Sequence, residues 1–240
     1  MPHEPERDTR RYYDDFSVSY DERRDSPYHR MIDDLEAEIA TPFASNARVL
    51  ELGCGTGLIL SRLAAVASEA VGIDSSSAMV ARARAKGLDA RVADLRTLPF
   101  DDDAFDLTCS FKVLPHVPDV EAAIDEAVRV TRPGGHLVLE LYNPQSLRFF
   151  VKRLVGPMPI SKTRNEAHVY TRWDSPGRLK SLIPANTELF AFYGLRILTP
   201  FAAFHRTPLL GGALRMAERL ASRSPLRRFG GFLVVVLRKS

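Results

Sequence analysis

Residues 49–57 read VLELGCGTG, an apolar run that reaches an acid and continues into three glycines at alternate positions. Glycine adopts positive φ without strain and has no Cβ to hold a ligand away from the backbone. Gly53, Gly55 and Gly57 directly after a strand therefore predict a tight turn under a bound molecule. A turn that binds nothing would explain one of these glycines but not all three.

The composition is that of a folded protein. The 240 residues, 45% of them hydrophobic, suffice for one large domain or for one domain with a substantial insertion. The charged N-terminus lacks the apolar segment of a secretory signal, and no stretch approaches the roughly 20 apolar residues of a membrane-spanning helix. We therefore expect a cytoplasmic protein. Cys54 and Cys109 have neither CxxC spacing nor the density of a disulfide scaffold, so we interpret both as plain thiols.

The net charge of +3 is unevenly distributed. Acids outnumber bases before Ala40, whereas the chain after Leu141 is strongly basic. Such an asymmetry indicates either an anionic partner or a solvated face, and the sequence leaves both open.

Glycine-bounded apolar runs alternate with helical patterns over the first 140 residues, which predicts βαβ units and a parallel sheet. We predict strands at 48–52, 70–74, 89–93, 105–110 and 136–142. We predict helices at 57–67, 76–86 and 119–131. Ser77 and Asp119 are the expected N-caps, and Gly87 lies where a helix C-cap would.

The pattern is less regular beyond Tyr142. We predict helices at 143–156 and 175–183, a strand with a continuation at 187–198, one or two basic helices at 208–228 and a closing strand at 231–239. We divide the chain into an N-terminal helical lid, residues 1–40, and a second unit, residues 41–240. That unit has acceptor-site insertions at about 143–175 and 195–230.

Three ligand classes compete for the glycine turn. A dinucleotide fold needs G-x-G-x-x-G, but Leu58 stands where the third glycine would be, and the G-K-[ST] ending of a phosphate-binding loop is absent. Asp74 ends the next strand, near the distance at which nucleotide-binding units place an acid on the ribose hydroxyls. It indicates a nucleoside ligand, although an acid there would also cap the following helix.

These motifs resemble those of the class I S-adenosylmethionine-dependent methyltransferases. The resemblance lies in VLELGCGTG, VGID, ADLRTLPFDDDAFD and RVTRPGGHLVLELYN, and it covers roughly residues 45–143. It implies an α/β fold, a Rossmann-like seven-stranded sheet with helices on both faces and extra helices in the C-terminal half. GFLVVVLRK would be the antiparallel edge strand. The cofactor would lie across the carboxyl ends of the first few strands.

The resemblance also implies roles for single residues. Glu51 and Gly53 would face the methionine part of S-adenosylmethionine, Asp74 the ribose, and Asp94 with Leu95 the adenine. Asp94 would otherwise cap a turn. A tyrosine of an N-terminal helix would close over the cofactor. The complete set of predicted cofactor-binding residues is Tyr20, Glu51, Gly53, Gly55, Gly57, Asp74, Ser75, Asp94, Leu95 and Ser110.

Methyl transfer is an in-line displacement, for which the protein supplies mainly position and a dry site. His116, in the loop SFKVLPHVPD after the fourth strand, is our first candidate base; the alternative is that it caps the next helix. Tyr142 would face the same crevice and is the second candidate catalytic residue. His168 and Trp173 would either line the crevice from an insertion or pack that insertion onto the sheet. We expect no metal, and we interpret residues 101–103 as a solvated turn.

The acceptor is less closely defined by the sequence. Without the motifs of DNA-base methylation or an aromatic RNA-binding module, nucleic acid is disfavoured and an O, N or C atom of a small molecule is the default. A quinone or lipid-like acceptor stays open, because the basic helices of the C-terminal half suit an anionic or lipid-like molecule and peripheral contact with anionic lipid. A nucleic-acid or protein methyltransferase and a non-catalytic S-adenosylmethionine-binding protein are the other hypotheses.

Overall fold

The computed structural model describes residues 4–155, 170–199 and 208–240. In these residues the helices are α1 (Glu4–Arg24), α2 (Pro27–Ala44), α3 (Leu60–Ala64), α4 (Ser77–Ala85), α5 (Val120–Val130), α6 (Leu147–Val155), α7 (Pro176–Ser181) and α8 (Pro208–Arg223). The strands are β1 (Arg48–Leu52), β2 (Glu69–Asp74), β3 (Asp89–Val92), β4 (Phe105–Ser110), β5 (Thr131–Tyr142), β6 (Thr187–Leu195) and β7 (Phe232–Lys239).

The strands form a seven-stranded sheet in the order β3-β2-β1-β4-β5-β7-β6. The first five strands are parallel, and β7 runs antiparallel to β5 and β6 on either side of it. This confirms the predicted Rossmann-like seven-stranded sheet. The closing strand is antiparallel as expected, but its predicted edge position is wrong because β6 pairs along its outer side.

Alternating apolar residues give the sheet two packed faces. On one face Leu50 and Leu52 of β1 join a core with α5 and α7. On the other face Val49 joins a core with α2 and α3. Burial on both faces explains why β7 begins with six successive apolar residues, Phe232 to Leu237. The sheet therefore gives a rigid platform whose carboxyl edge carries the functional loops.

The N-terminal segment forms two helices with different environments. α2 packs in the core through Met31, Ile32 and Leu35, all at most 4% exposed. α1 lies beyond the carboxyl edge of the sheet and contacts α4. The two halves of the predicted lid segment therefore differ: α2 is part of the core, whereas α1 lies over the sheet edge.

Several predicted boundaries need correction. Ser76, not Ser77, caps α4, since its Oγ accepts a hydrogen bond from Met79 N at 3.1 Å. The helix predicted at 57–67 is only α3, Leu60–Ala64, because the glycine turn extends to Gly57. The strand predicted at 136–142 already begins at Thr131. The cap prediction for Asp119 is confirmed, because its side chain accepts from Ala122 N.

The later elements follow the predicted order. The expected helices correspond to α6, α7 and α8, with a short 3-10 helix at Pro225–Phe229, and the expected strands are β6 and β7. Gly87 ends α4 with φ of +80°, one residue after the C-cap Lys86. Among the described residues, no helix combines the length and apolar character needed to cross a membrane.

Gly57→Ala tests how tightly the glycine turn packs. A Cβ at Gly57, where φ is +83°, would lie 2.3 Å from Leu88 Cδ1, whereas a Cβ at Gly87, with φ +80°, would meet no atom within 4 Å. The left-handed conformation costs a side chain about 1–2 kcal/mol. We expect both alanine variants to lose about that much unfolding free energy and Gly57→Ala to lose more. Urea unfolding measures it, and Gly57→Ala at least as stable as Gly87→Ala would contradict this packing.

Candidate functional site

Asp74 holds the glycine turn to the end of β2. Its Oδ2 accepts a hydrogen bond from Gly55 N at 2.9 Å, and its Oδ1 accepts one from Ser76 N at 2.8 Å. The backbone N–H groups of Gly53 and Cys54 both bond the Ile73 carbonyl. Burial nonetheless raises the pKa of the Asp74 carboxyl, against these backbone bonds. The carboxylate thus joins two neighbouring strand ends at the carboxyl edge, where open parallel sheets bind ligands.

Glu51 is a buried acid at the same edge. It is 3% exposed, and its Oε2 has no hydrogen-bond partner among the described residues. Burial raises the pKa of Glu51 well above its usual range, and Lys112 and a hydrogen bond from the Leu60 backbone act in the opposite direction. An unpaired buried carboxyl oxygen is costly, so this position suits a cationic or hydrogen-donating ligand group.

Helix α1 is fastened over the site at two points. Asp14 Oδ1 accepts a hydrogen bond from Ser76 Oγ at 2.5 Å. About two turns further along the helix, Asp21 accepts from Thr56 Oγ1 at 2.5 Å and pairs with Lys86 at 2.7 Å. Both anchors lie beside the turn that Asp74 organises, so the helix and the turn are positioned together.

A cleft of about 850 Å³, partly open to solvent, lies between α1 and the carboxyl edge of the sheet. Its walls include Phe111 and Val113 after β4 and Met79 of α4. The structure brings most of the predicted site residues to this one cleft. They are Tyr20, Glu51, Gly53, Gly55, Asp74, Ser75, Leu95 and His116.

Four predicted residues do not line this cleft. Gly57 packs against Leu88, and Ser110 Oγ donates to the Leu52 carbonyl between β4 and β1. The side-chain hydrogen bond from Arg96 lowers the pKa of Asp94. That pair closes at 2.7 Å, so the Asp94 carboxylate is already bound within its own turn. Tyr142 lies one layer behind the cleft wall, and the roles assigned to these residues stay predictions.

His116 lies between the cleft and Tyr142. Its Nδ1 is 2.8 Å from the Tyr170 carbonyl oxygen, which can only accept, so Nδ1 carries the proton. The neutral ring then presents an unprotonated Nε2, 3.5 Å from the Tyr142 hydroxyl. Asp119 caps α5, so His116 is not needed as its cap. The geometry is that of an oriented histidine whose Nε2 faces the Tyr142 hydroxyl. His168, the other histidine considered, lies outside the described residues.

A buried charge cluster supports the site from below. Lys112, directly after β4, pairs with Asp33 at 2.9 Å and with Glu36. Its backbone N–H donates to Glu140, and Arg24 at the end of α1 also pairs with Asp33. Burial lowers the pKa of Lys112, but Glu36 and Asp33 outweigh it and hold that pKa above its usual value. The cluster links α1, α2, β4 and β5 beneath the cleft.

Sequence reasoning missed this cluster. One signal was readable, because Glu140 interrupts the apolar strand LVLELY, and a strand buried on both faces rarely contains an unpaired acid. Asp33 and Glu36 are three residues apart on α2 and therefore share a face. Nothing in the sequence shows that Lys112, 79 residues after Asp33, completes the group.

The site agrees with the cofactor that the resemblance implies. The unpaired Oε2 of Glu51 suits the ammonium group of a methionine moiety. A Cβ at Gly55 would meet no atom within 4 Å, so the backbone of the turn faces open space where a ligand can approach. The residues present therefore fit an S-adenosylmethionine-like molecule.

Comparisons with known proteins point the same way. A family model for a methyltransferase domain matches residues 50–139. The chain is 30% identical over 173 residues to the ubiquinone biosynthesis O-methyltransferase of Hahella chejuensis, across 68% of this chain and 71% of that protein. It is 41% identical over 113 residues to an uncharacterized 37.1 kDa protein in transposon TN4556 of Streptomyces fradiae, across 44% of this chain and 32% of that protein.

The fold comparison covers nearly the whole chain. A crystal structure of a SAM-dependent methyltransferase from Thermotoga maritima superposes with a TM-score of 0.71 over 97% of this chain and 100% of that one. The two are 20% identical, so the similarity is one of fold. The matched part of the chain spans less than two thirds of the length of several curated relatives.

Glu51→Gln tests the unpaired carboxyl without ligand. A raised folded-state pKa means that the folded protein binds this proton more tightly than the unfolded chain. The stability that this proton confers is present below the ordinary pKa of glutamate and is lost as pH rises toward the raised value. We expect Glu51→Gln to lack this loss and to gain stability over wild type between pH 5 and pH 8, by about 1.4 kcal/mol for each unit of pKa shift. Denaturant unfolding across this range measures it, and a gap that does not widen with pH would contradict the assignment.

Proposed function

We propose that this chain, which belongs to the class I S-adenosylmethionine-dependent methyltransferase family, transfers a methyl group from S-adenosylmethionine to an O, N or C atom of a small-molecule acceptor. The observation that carries the proposal is the joint position of the Asp74-anchored glycine turn and the unpaired buried Glu51 in one cleft. S-adenosylhomocysteine would be the product, and the cytoplasm the place of reaction.

Different residues of the cleft would bind different parts of the cofactor. Glu51 would accept hydrogen bonds from the ammonium group, and Gly53 and Gly55 would allow backbone contact. Asp74 would accept from the ribose hydroxyls, since each carboxylate oxygen that bonds Gly55 or Ser76 keeps acceptor capacity. Leu95 would pack on the adenine. Asp94 would accept a hydrogen bond from the adenine amine only if its ion pair with Arg96 opened in part.

When bound, the cofactor supplies an electrophilic methyl group on a sulfonium. The chain supplies position and exclusion of water, which in well-oriented systems lower a barrier by about 7–11 kcal/mol. Tyr13 and Tyr20 of α1 both line the cleft, and burial raises the pKa of each hydroxyl. Neutral tyrosines on a covering helix suit a dry site, because they add no charge to be solvated.

His116 is the candidate general base. The Tyr170 carbonyl accepts a hydrogen bond from Nδ1, so Nε2 is the nitrogen that would accept a proton from an acceptor hydroxyl. Tyr142, 3.5 Å from Nε2, would orient the ring or the acceptor. A base assists a hydroxyl acceptor more than an amine, which attacks once it is neutral. This geometry therefore favours an oxygen acceptor.

A phenolic or quinone-like acceptor is the leading alternative within this class. The Hahella relative is named a ubiquinone biosynthesis O-methyltransferase, and aromatic side chains surround Tyr142. Trp173 and Phe232 lie 5.5 and 5.2 Å from the Tyr142 ring. Such a wall suits a flat ring.

Contact with anionic lipid is a weaker proposal. Of the basic residues on α8, Arg215 pairs with Asp34 and Arg219 pairs with Glu38, so their charge is largely balanced. Lipid contact would therefore depend on the exposed arginines after them, Arg223, Arg227 and Arg228.

The experiment that tests the proposed function follows a methyl label. The protein is incubated with methyl-labelled S-adenosylmethionine and fractionated small-molecule and lipid extracts. We expect label in a low-molecular-weight product and an equal amount of S-adenosylhomocysteine. Tight cofactor binding without transfer to any fraction would favour the non-catalytic alternative, and label in nucleic acid or protein would replace the acceptor class.

Asp74→Ala should weaken binding of S-adenosylhomocysteine roughly 10- to 100-fold, because hydrogen bonds to a charged group contribute about 1.5–3 kcal/mol. Isothermal titration calorimetry measures the affinity. Asp106→Ala is the matched control: this acid also accepts a backbone N–H, from Arg48, and pairs with Arg132, but it lies at the opposite end of the sheet. Equal affinity of both variants for S-adenosylhomocysteine would show that Asp74 does not bind the cofactor.

His116→Gln should lower turnover of a hydroxyl acceptor by roughly 10²- to 10⁴-fold, the usual contribution of a positioned base. Cofactor affinity should stay within a factor of about two, since none of the cofactor contacts depends on this ring. Rates with the labelled cofactor and the acceptor found above give the answer. Unchanged turnover would show that His116 is not the general base and has only a structural role. A loss of cofactor affinity would show that His116 contributes to cofactor binding instead.

A further inference from the structure

Two arginines lie beside the aromatic wall behind Tyr142. Arg148 belongs to α6 and Arg196 follows β6. Their guanidinium carbons each lie 5.2 Å from the centroid of the Phe232 ring, and that of Arg148 also lies 4.9 Å from Tyr142. Gly231 leaves room for both, since a Cβ there would lie 3.3 Å from Arg148 Cδ and from Arg196 Cβ. Segments far apart in sequence thus bring two cations to one place.

These cations are incompletely partnered within the described part of the chain. Arg148 Nη1 and Arg196 Nε are buried atoms that have no hydrogen-bond partner there. Arg196 does bond the Tyr28 hydroxyl. Glu218, whose charge is near enough to interact with Arg196, already accepts the backbone N–H groups of Ile197 and Leu198. The two unmet donors therefore lack an acceptor among the described residues, although Glu218 supplies a negative charge near Arg196.

The electrostatics favour an anion between them. Burial, and after it the positive charge of Arg148, lower the pKa of Arg196 to about 10. One guanidinium stacked on rings is stabilised by them, but a second one beside it adds repulsion. An oxyanion would remove both the repulsion and the unmet hydrogen bonds, and the forked donors of arginine match carboxylate and phosphate oxygens.

The position of the two arginines relative to Tyr142 and His116 also fits binding of the acceptor. The Tyr142 ring contacts Arg148 on one side, and its hydroxyl approaches His116 Nε2 at 3.5 Å on the other. The ring of Trp173, which is partly exposed, lies 5.6 Å from the Arg148 guanidinium carbon. A molecule held by its anionic end at the arginines would extend along Tyr142 toward His116.

We propose that Arg148 and Arg196 form an anion subsite that binds a carboxylate or phosphate group of the acceptor and directs its reactive atom to the cleft. The acceptor is then an anionic molecule with an aromatic or otherwise flat body. This inference rests on the proposed function for the identity of the bound molecule as acceptor, but the anion binding itself does not depend on the cofactor.

The test uses two simple anions, benzoate and inorganic phosphate, titrated into the full chain and followed by calorimetry and thermal unfolding. Arg148→Met and Arg196→Met keep much of the stem and remove the charge. Arg91→Met is the matched control, because Arg91 also stacks on a ring, that of Phe100 at 5.5 Å, and lies on the far edge strand β3. S-adenosylhomocysteine affinity is measured in parallel for all four proteins.

We expect the unmodified protein to bind at least one anion with millimolar or tighter affinity. Both Met variants should weaken that binding at least tenfold, and Arg91→Met should leave it unchanged. Preference for benzoate over phosphate would assign a carboxylate, and the reverse a phosphate. Absence of binding to the unmodified protein, or binding that survives both Met variants, would overturn the subsite whether or not the variants are fully stable. Because the anion titrations contain no cofactor, that failure is distinct from a failure to bind S-adenosylhomocysteine or to transfer a methyl group.

Discussion

The carboxylate of Asp74 is the interaction on which the site depends most. It bonds the backbone of the glycine turn after β1 and the backbone that begins α4, so one side chain fixes two adjacent strand ends. The Ser76 hydroxyl in turn donates a hydrogen bond to Asp14 and so holds α1 against the start of α4. Sheet edge, turn and covering helix thus form one hydrogen-bonded assembly around the cleft.

A group of buried charged side chains lies below the cleft. Lys112 and Arg24 are shared among Asp33, Glu36 and Glu140, so every charge has an opposite neighbour within the core. Removing one partner from such a group typically costs 3–5 kcal/mol because an uncompensated charge stays buried. Glu51, outside this group, has an oxygen that no described residue satisfies, as do Glu36 and Glu140 within it, but only Glu51 of these three lines the cleft. Protein cores rarely tolerate that, and a ligand that completes the bond explains it.

The sequence was sufficient where local chemistry decides the structure. The glycine turn, the acid after β2 and the order of the strands all arise from short motifs with a direct physical reason, and the seven-stranded sheet follows them. It was insufficient where long-range contacts decide. The sequence could not show that β6 covers β7 or that Arg148 and Arg196 meet at Phe232. The local ion pair between Asp94 and Arg96 was a different omission, because two roles for Asp94 were open and the sequence did not decide between them.

The central claim is that the turn organised by Asp74 binds the cofactor. Hydrogen–deuterium exchange with and without S-adenosylhomocysteine tests it most directly, because one experiment measures amide exchange in the turn, the covering helix and the distant strands. The account predicts slower exchange in the glycine turn at residues 53–57 and in α1, with no change in β6 or α8. Unchanged exchange in the turn at saturating cofactor, or protection confined to β6 and α8, would contradict a cofactor site organised by Asp74.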